Sequence, residues 1–115
     1  MKVFVFALLF TLTAAPALAE TIPAAEAKNH IDKEVTVEGV VGDVHHAASG
    51  RAIFIEIGGR YPGNPFSAVL FKDNFSKFPN VDSLAGKTVD ITGKIQDYRG
   101  RAEIILNDPA QIKVK

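Results

Sequence analysis

The chain has 115 residues, with 13 Lys and Arg against 13 Asp and Glu and no cysteine. That length gives one small domain, and the missing cysteine excludes disulfides, thiolate metal sites and thiol nucleophiles. The balanced charge lacks the cationic surplus on which tight nucleic-acid binding rests.

Residues 1–19 are expected to be a signal peptide. Lys2 supplies the positive start, Val3–Leu12 the apolar stretch and Ala17-Leu18-Ala19 the small-x-small cleavage pattern before Glu20. The apolar run is shorter than the ~20 residues that span a bilayer. The expected destination is the periplasm or the exterior, without membrane insertion. Loss of Lys2 leaves twelve cationic and thirteen acidic residues in 20–115, a net charge of −1.

In the mature segment, Pro23–His30 is rich in helix formers with Glu26 near the start, which predicts a short helix packing Ile22, Ala27 and Ile31 against the core. Glu34–Val44 sets Val35, Val37, Gly39 and Val41 against Thr36, Glu38, Val40 and Gly42, a strand whose glycines mark a bulge or bend. Ala52–Gly58 is the second strand, with Ile53, Ile55 and Ile57 inward and Phe54 and Glu56 on the other face. Phe66–Phe71 is the third. Gly58–Pro65 is dense in turn formers and predicts a structured loop. Asp73–Phe78 predicts a brief helix capped by Asp73, with Phe75 and Phe78 plugging the core.

Gly86–Ile112 closes the domain. Thr88–Gln96 places Val89, Ile91 and Ile95 on one parity, Gly100 supplies a turn, and Ala102–Leu106 forms a last strand that Asp108-Pro109 ends, because proline has no amide hydrogen. Five strands with one helix before them and one between the third and fourth predict an all-β, five-stranded OB-fold Greek-key barrel.

Several strings resemble bacterial OB-fold domains of the nucleic-acid-binding type, related to the tRNA-anticodon OB group. They are Ala24–Ala27, Val37–Val41, Phe54–Gly58, Tyr61-Pro62, Phe66–Phe71, Gly86–Val89, Ile91–Gly93, Tyr98–Arg101 and Asp108–Ile112. The resemblance spans nearly all of residues 20–115 and implies a binding module. The nucleic-acid function it implies is an analogy from fold.

Tyr98, Arg99 and Arg101 put an aromatic ring and two guanidinium groups at the hairpin tip, where OB folds contact ligands. The plainer account is turn chemistry with solvated arginines. Arg60 and Tyr61, with Arg51 and Lys72, extend this into a groove. Phe54 and Phe71 complete the candidate ligand-binding set, although core packing is the simpler role for Phe66 and Phe71. Asp43, His45 and His46 suggest a metal, but neighbouring strand residues point to opposite faces, so the expectation is no metal.

No nucleophile elbow, phosphate loop or dinucleotide signature is present, so neither catalysis nor a cofactor is expected. The carboxylates read as solvated surface groups. Single-stranded nucleic acid, bound with low sequence specificity, stands slightly ahead of a peptide, small anion or envelope protein as the expected partner. A purely structural or envelope-stress role stands behind both. Mixed charge around an apolar cleft is the feature that turns the preference towards a protein.

Overall fold

The computed structural model describes residues 19–115. Apart from Ala19, the expected signal peptide lies outside the described residues. Among those described, no helix is long and apolar enough to cross a membrane.

Among the described residues eight strands and four 3-10 helices follow one another: β1 (Thr21–Pro23), η1 (Ala24–Asn29), β2 (Glu34–His46), β3 (Ala52–Ile57), β4 (Phe66–Phe71), η2 (Lys72–Lys77), η3 (Val81–Leu84), β5 (Thr88–Lys94), β6 (Gln96–Tyr98), β7 (Arg101–Ile105), η4 (Pro109–Gln111) and β8 (Ile112–Val114). The hydrogen-bonded order is β6-β7-β4-β3-β2-β5-β8, with β1 paired to β2. Strand β7 runs parallel to β4, whereas β2 is antiparallel to both β3 and β5. Only Ile95 separates β5 from β6, so the chain itself links one terminus of this path to its interior. The five expected strands correspond to β2, β3, β4, β5 with β6, and β7. The fold is mostly β, and its element order is the one expected of an OB domain.

Alternation explains the core. Val35, Val37 and Val41 from β2, Ile53, Ile55 and Ile57 from β3, Phe66, Ala68 and Leu70 from β4, Val89 and Ile91 from β5, Ile95, and Ala102 and Ile104 from β7 form one buried cluster. Ala24 and Ala27 of η1 and Phe78 after η2 close onto the same cluster, and Phe75 packs against it. Burying each large aliphatic side chain contributes about 1.5–3 kcal/mol, and without cysteine this packing must carry the stability.

Some local expectations change. Pro23 ends β1 instead of opening a helix, and the helical turns are 3-10. Asp73 does not cap η2. The cap position is Phe71, with no side-chain hydrogen bond, because the helix begins directly where β4 ends. Past Asp108-Pro109, which forms a capping box with Gln111, the chain returns as β8 along β5. The short β1 and β8 add edges that the five-strand reading omits.

The register shift between Val41 and Asp43 opposite β3 places the expected bulge at Gly42. There the backbone of Gly59 presses so close that a Cβ on Gly42 meets the Gly59 carbonyl carbon at 2.5 Å and the Arg60 nitrogen at 3.1 Å. Both neighbours are main chain and cannot swing aside. Gly42→Ala should therefore lower the urea midpoint by the equivalent of about 2 kcal/mol or more, as overpacking does. Gly63→Ala, whose nearest contact lies at 3.6 Å, should leave it nearly unchanged. Equal midpoints for the two variants contradict this packing account.

Candidate binding face

Inward and outward residues alternate, so the register also fixes the outer face of β2, β3, β4 and β7. Asp43 pairs with Glu56, Glu56 with Ser67, and Ser67 with Glu103. The next outward row joins His45, Phe54, Val69 and Ile105, and Phe71 lies beyond it opposite Ala52. A small serine thus stands between two glutamates on a three-strand row.

That row is not a solvated surface. Glu56 is only 2% exposed, and Asn64 and Ser67 are buried with it. Asn64 Nδ2 donates to the Phe66 carbonyl (2.9 Å) and to Ser67 Oγ (2.9 Å), and Ser67 Oγ donates to Glu56 Oε2 (3.0 Å). The expectation that the carboxylates are all solvated fails here, because Asn64 and the Gly58–Pro65 loop cover a strand position that alternation alone assigns to the outside.

Arg101 binds the loop to the sheet. Its Nη2 donates to Asn64 Oδ1 (2.7 Å) and to the Asn64 carbonyl (3.1 Å), and its Nη1 donates to the Pro62 carbonyl (3.4 Å). The guanidinium also lies 5.1 Å from the centroid of the Tyr61 ring, in a loop whose Tyr61-Pro62 bond is cis. The planar fork of donors suits this bridging, and a lysine cannot reproduce it.

Next to Arg101 the hairpin turns through Arg99 (φ 51) and Gly100 (φ 82). Positive φ at both positions, between the paired Tyr98 and Arg101, is the two-residue hairpin geometry whose twist matches the strands. The turn leaves Tyr98 exposed with Arg99 over its ring at 5.3 Å.

These elements enclose a cleft of about 500 Å³ lined by His45, Phe54, Glu56, Tyr61, Ser67, Tyr98, Arg99, Arg101 and Glu103. Burial raises the pKa of Glu56 above the ordinary 4.5, against the opposing effects of the Ser67 hydrogen bond and the Arg101 and His45 charges; Asp43 adds a smaller upward push. Burial likewise raises Glu103, opposed by Arg101 and reinforced by Glu56. The described ion pairs lie elsewhere: His46 with Asp82, and Lys115 with Glu38 and Asp90.

The nine residues singled out from sequence divide into groups. Phe54, Tyr61, Tyr98, Arg99 and Arg101 line the cleft. Arg51, Phe71 and Lys72 gather at the other end of the face, where the Lys72 amide donates to the Arg51 carbonyl at 3.0 Å. Four residue steps of β4 separate Ser67 in the cleft from Phe71, about 13 Å. Phe71 is 47% exposed, so of the two phenylalanines only Phe66 belongs to the core. Arg60 is an exposed loop residue outside the cleft lining.

The cleft residues missed in the sequence are His45, Glu56, Ser67 and Glu103, together with Asn64, which bonds Ser67. Their shared outward parity was the available signal, but their meeting depends on register across three strands. His45 stacks on Phe54, with centroids 6.3 Å apart, while His46 bonds Asp82 at 2.6 Å, so the adjacent histidines diverge as strand geometry requires. Among the described residues no group of three side chains is placed to hold a metal.

No protein-family model and no curated protein matches the chain. Solved structures do. The fold is an OB fold. An OBody, AM1L10, bound to hen egg-white lysozyme matches at TM-score 0.60 and 25% identity, over 84% of this chain and 93% of that one. Asparaginyl-tRNA synthetase from Pyrococcus horikoshii matches at TM-score 0.60 and 23% identity over 84% of this chain, which corresponds to 23% of the enzyme. A chain of the S. pombe Stn1–Ten1 complex matches at 0.53 and 18% identity, over 71% of this chain and 57% of that one.

The raised Glu56 pKa has a consequence for stability. With the folded value above the unfolded one, the folded state holds its proton longer, so stability falls as pH rises through about 4.5 and the penalty is complete above the folded value. Glu56→Gln keeps an acceptor for Ser67 and removes the buried charge. Its melting temperature at pH 7 should exceed the wild type's, and the two should converge towards pH 4. A variant less stable at pH 7 by as much as at pH 4 contradicts the assignment.

Proposed function

We propose that the protein is an exported, non-enzymatic OB-fold binding module whose cleft face takes a peptide or protein partner. The observation that carries this reading is the cleft's composition: aromatic walls over two desolvated glutamates, with its most buried cation, Arg101, already committed to Asn64 and Pro62. A phosphate backbone laid across this end of the face meets two glutamates beside Arg99 and Arg101, a balance that falls short of the positive groove nucleic acid needs. Export is supported by the Lys2, Val3–Leu12 and Ala17–Ala19 pattern, and the net charge of −1 for residues 20–115 agrees with it. The OBodies provide a precedent: at 25% identity, an OB domain of this size is bound to a protein, lysozyme.

Single-stranded nucleic acid is the second reading. It is favoured by the exposed rings of Tyr61, Tyr98 and Phe71 as stacking surfaces, by the cations Arg51, Lys72 and Arg99 along the face, and by the likeness to tRNA synthetases. Salt dependence separates the readings. Three phosphate contacts give a slope of log affinity against log[salt] of about −2, at ~0.7 per contact. Labelled twenty-residue dT and rU oligonucleotides titrated at low and physiological salt should show at most weak binding that disappears at physiological salt. Micromolar affinity at physiological salt, lost on Tyr98→Ala, overturns the protein reading in favour of nucleic acid.

A further inference from the structure

We propose that the Phe54–Tyr61–Tyr98 cleft receives a cationic side chain, arginine or lysine, presented by a peptide segment of a protein partner. The inference rests on the protein-partner reading and adds the chemistry of recognition.

Two carboxylates on this face are compensated only in part by the chain's own charges. Glu56 is 2% exposed and has one side-chain partner, the neutral Ser67 hydroxyl. Glu103 is half-buried on the far side of Ser67, and the two carboxylates repel each other. A desolvated carboxylate needs a cation or several hydrogen-bond donors, and the neighbouring elements supply few. Strand β2 offers Asp43, which is like-charged, and His45, which stacks on Phe54. Strand β7 offers Arg101, whose charge eases both carboxyls but whose donors are turned towards Asn64 and Pro62, so the compensation is partial. The turn offers Arg99, which lies over Tyr98, and the loop offers Tyr61. Charge that costs stability and opens into a cleft marks a site whose complement arrives from outside.

The walls fit the same occupant. Aromatic faces attract ammonium and guanidinium groups, most strongly where water is excluded. Phe54, Tyr61 and Tyr98 provide three rings around the carboxylates, and about 500 Å³ has room for one long side chain and part of its backbone. Tyr61 and Tyr98 already hold Arg101 and Arg99 at 5.1 and 5.3 Å, so the chain shows both rings in that role. A phosphate or acidic side chain would instead have to displace water from beside two carboxylates.

The test uses three fluorescein-labelled peptides of one length and a Gly-Ser background, carrying at the centre a single arginine, citrulline or glutamate. Citrulline keeps the shape and hydrogen-bonding of arginine without its charge. At pH 7.5 and low salt the arginine peptide should bind at least tenfold more tightly than the citrulline peptide. That advantage should fall several-fold in Glu103→Gln, a partly buried position, and vanish in Glu56→Gln/Glu103→Gln. It should also shrink as the pH is lowered through the raised range of the two carboxyls. Free arginine amide should compete only weakly, because the committed occupant is a side chain carried by a peptide. Equal binding of all three peptides overturns the cation site while leaving the protein reading intact. Binding of dT and rU oligonucleotides but of no peptide overturns both. An arginine preference unchanged in the double variant shows that these carboxylates do not make the site.

Discussion

One side chain, Asn64, ties the binding face together. Its amide nitrogen donates to the Phe66 carbonyl and to Ser67, while its amide oxygen accepts from Arg101. Through Ser67 it orients Glu56, and through Arg101 it fixes the Gly58–Pro65 loop against β7. Remove it and the buried row loses its cover, because three polar groups lose a partner in a place with little water to replace it. Such a group costs about 1–3 kcal/mol when left unpaired, so this small network governs both the rigidity of the loop and the shape of the cleft. Tyr61 stands where it does because the loop on either side of it is pinned.

The strands were legible in the sequence because their chemistry repeats every two residues. Ile53, Ile55 and Ile57 face inward, as do Val89, Ile91 and Ile95, and the bulge at Gly42 falls within the strand whose glycines announced one. The short β1 and β8 were not legible. Three residues carry no period, and these strands exist because β2 and β5 offer free edges. The site was half legible. Aromatic and cationic residues at a hairpin tip and in a glycine-proline loop drew attention to Tyr61, Tyr98 and Arg101. The acidic floor did not, since Glu56 looks like any outward strand residue until Ser67 and Glu103 are set beside it by register and Asn64 closes over it. Arg101 was misleading for a related reason: its partners lie 37 and 39 residues away, and with them it serves as a brace in place of a free phosphate contact.

This arrangement separates two demands on a small OB-fold domain without disulfides. The inner face supplies stability through close-packed aliphatic side chains. The outer face gives some of it back by holding carboxylates away from water, a concession that binding sites commonly make. Exposed rings at both ends, Tyr61 and Tyr98 at one and Phe71 at the other, show that the face continues past the cleft. A partner that seats one cationic side chain in the cleft has about 13 Å of sheet along which to extend, the four strand steps from Ser67 to Phe71.

The central claim is that Glu56 is buried and Glu103 partly buried, and that the Arg101 charge offsets their desolvation only in part. The most direct measurement is a site-resolved carboxyl titration by NMR, following the side-chain carbon shifts of the two glutamates from acid to neutral pH. Both should titrate above the ordinary glutamate value of 4.5, and Glu103 should shift downward on Glu56→Gln. Glutamates that titrate at or below 4.5 have found solvent or a counter-charge within the protein, and that result contradicts the account.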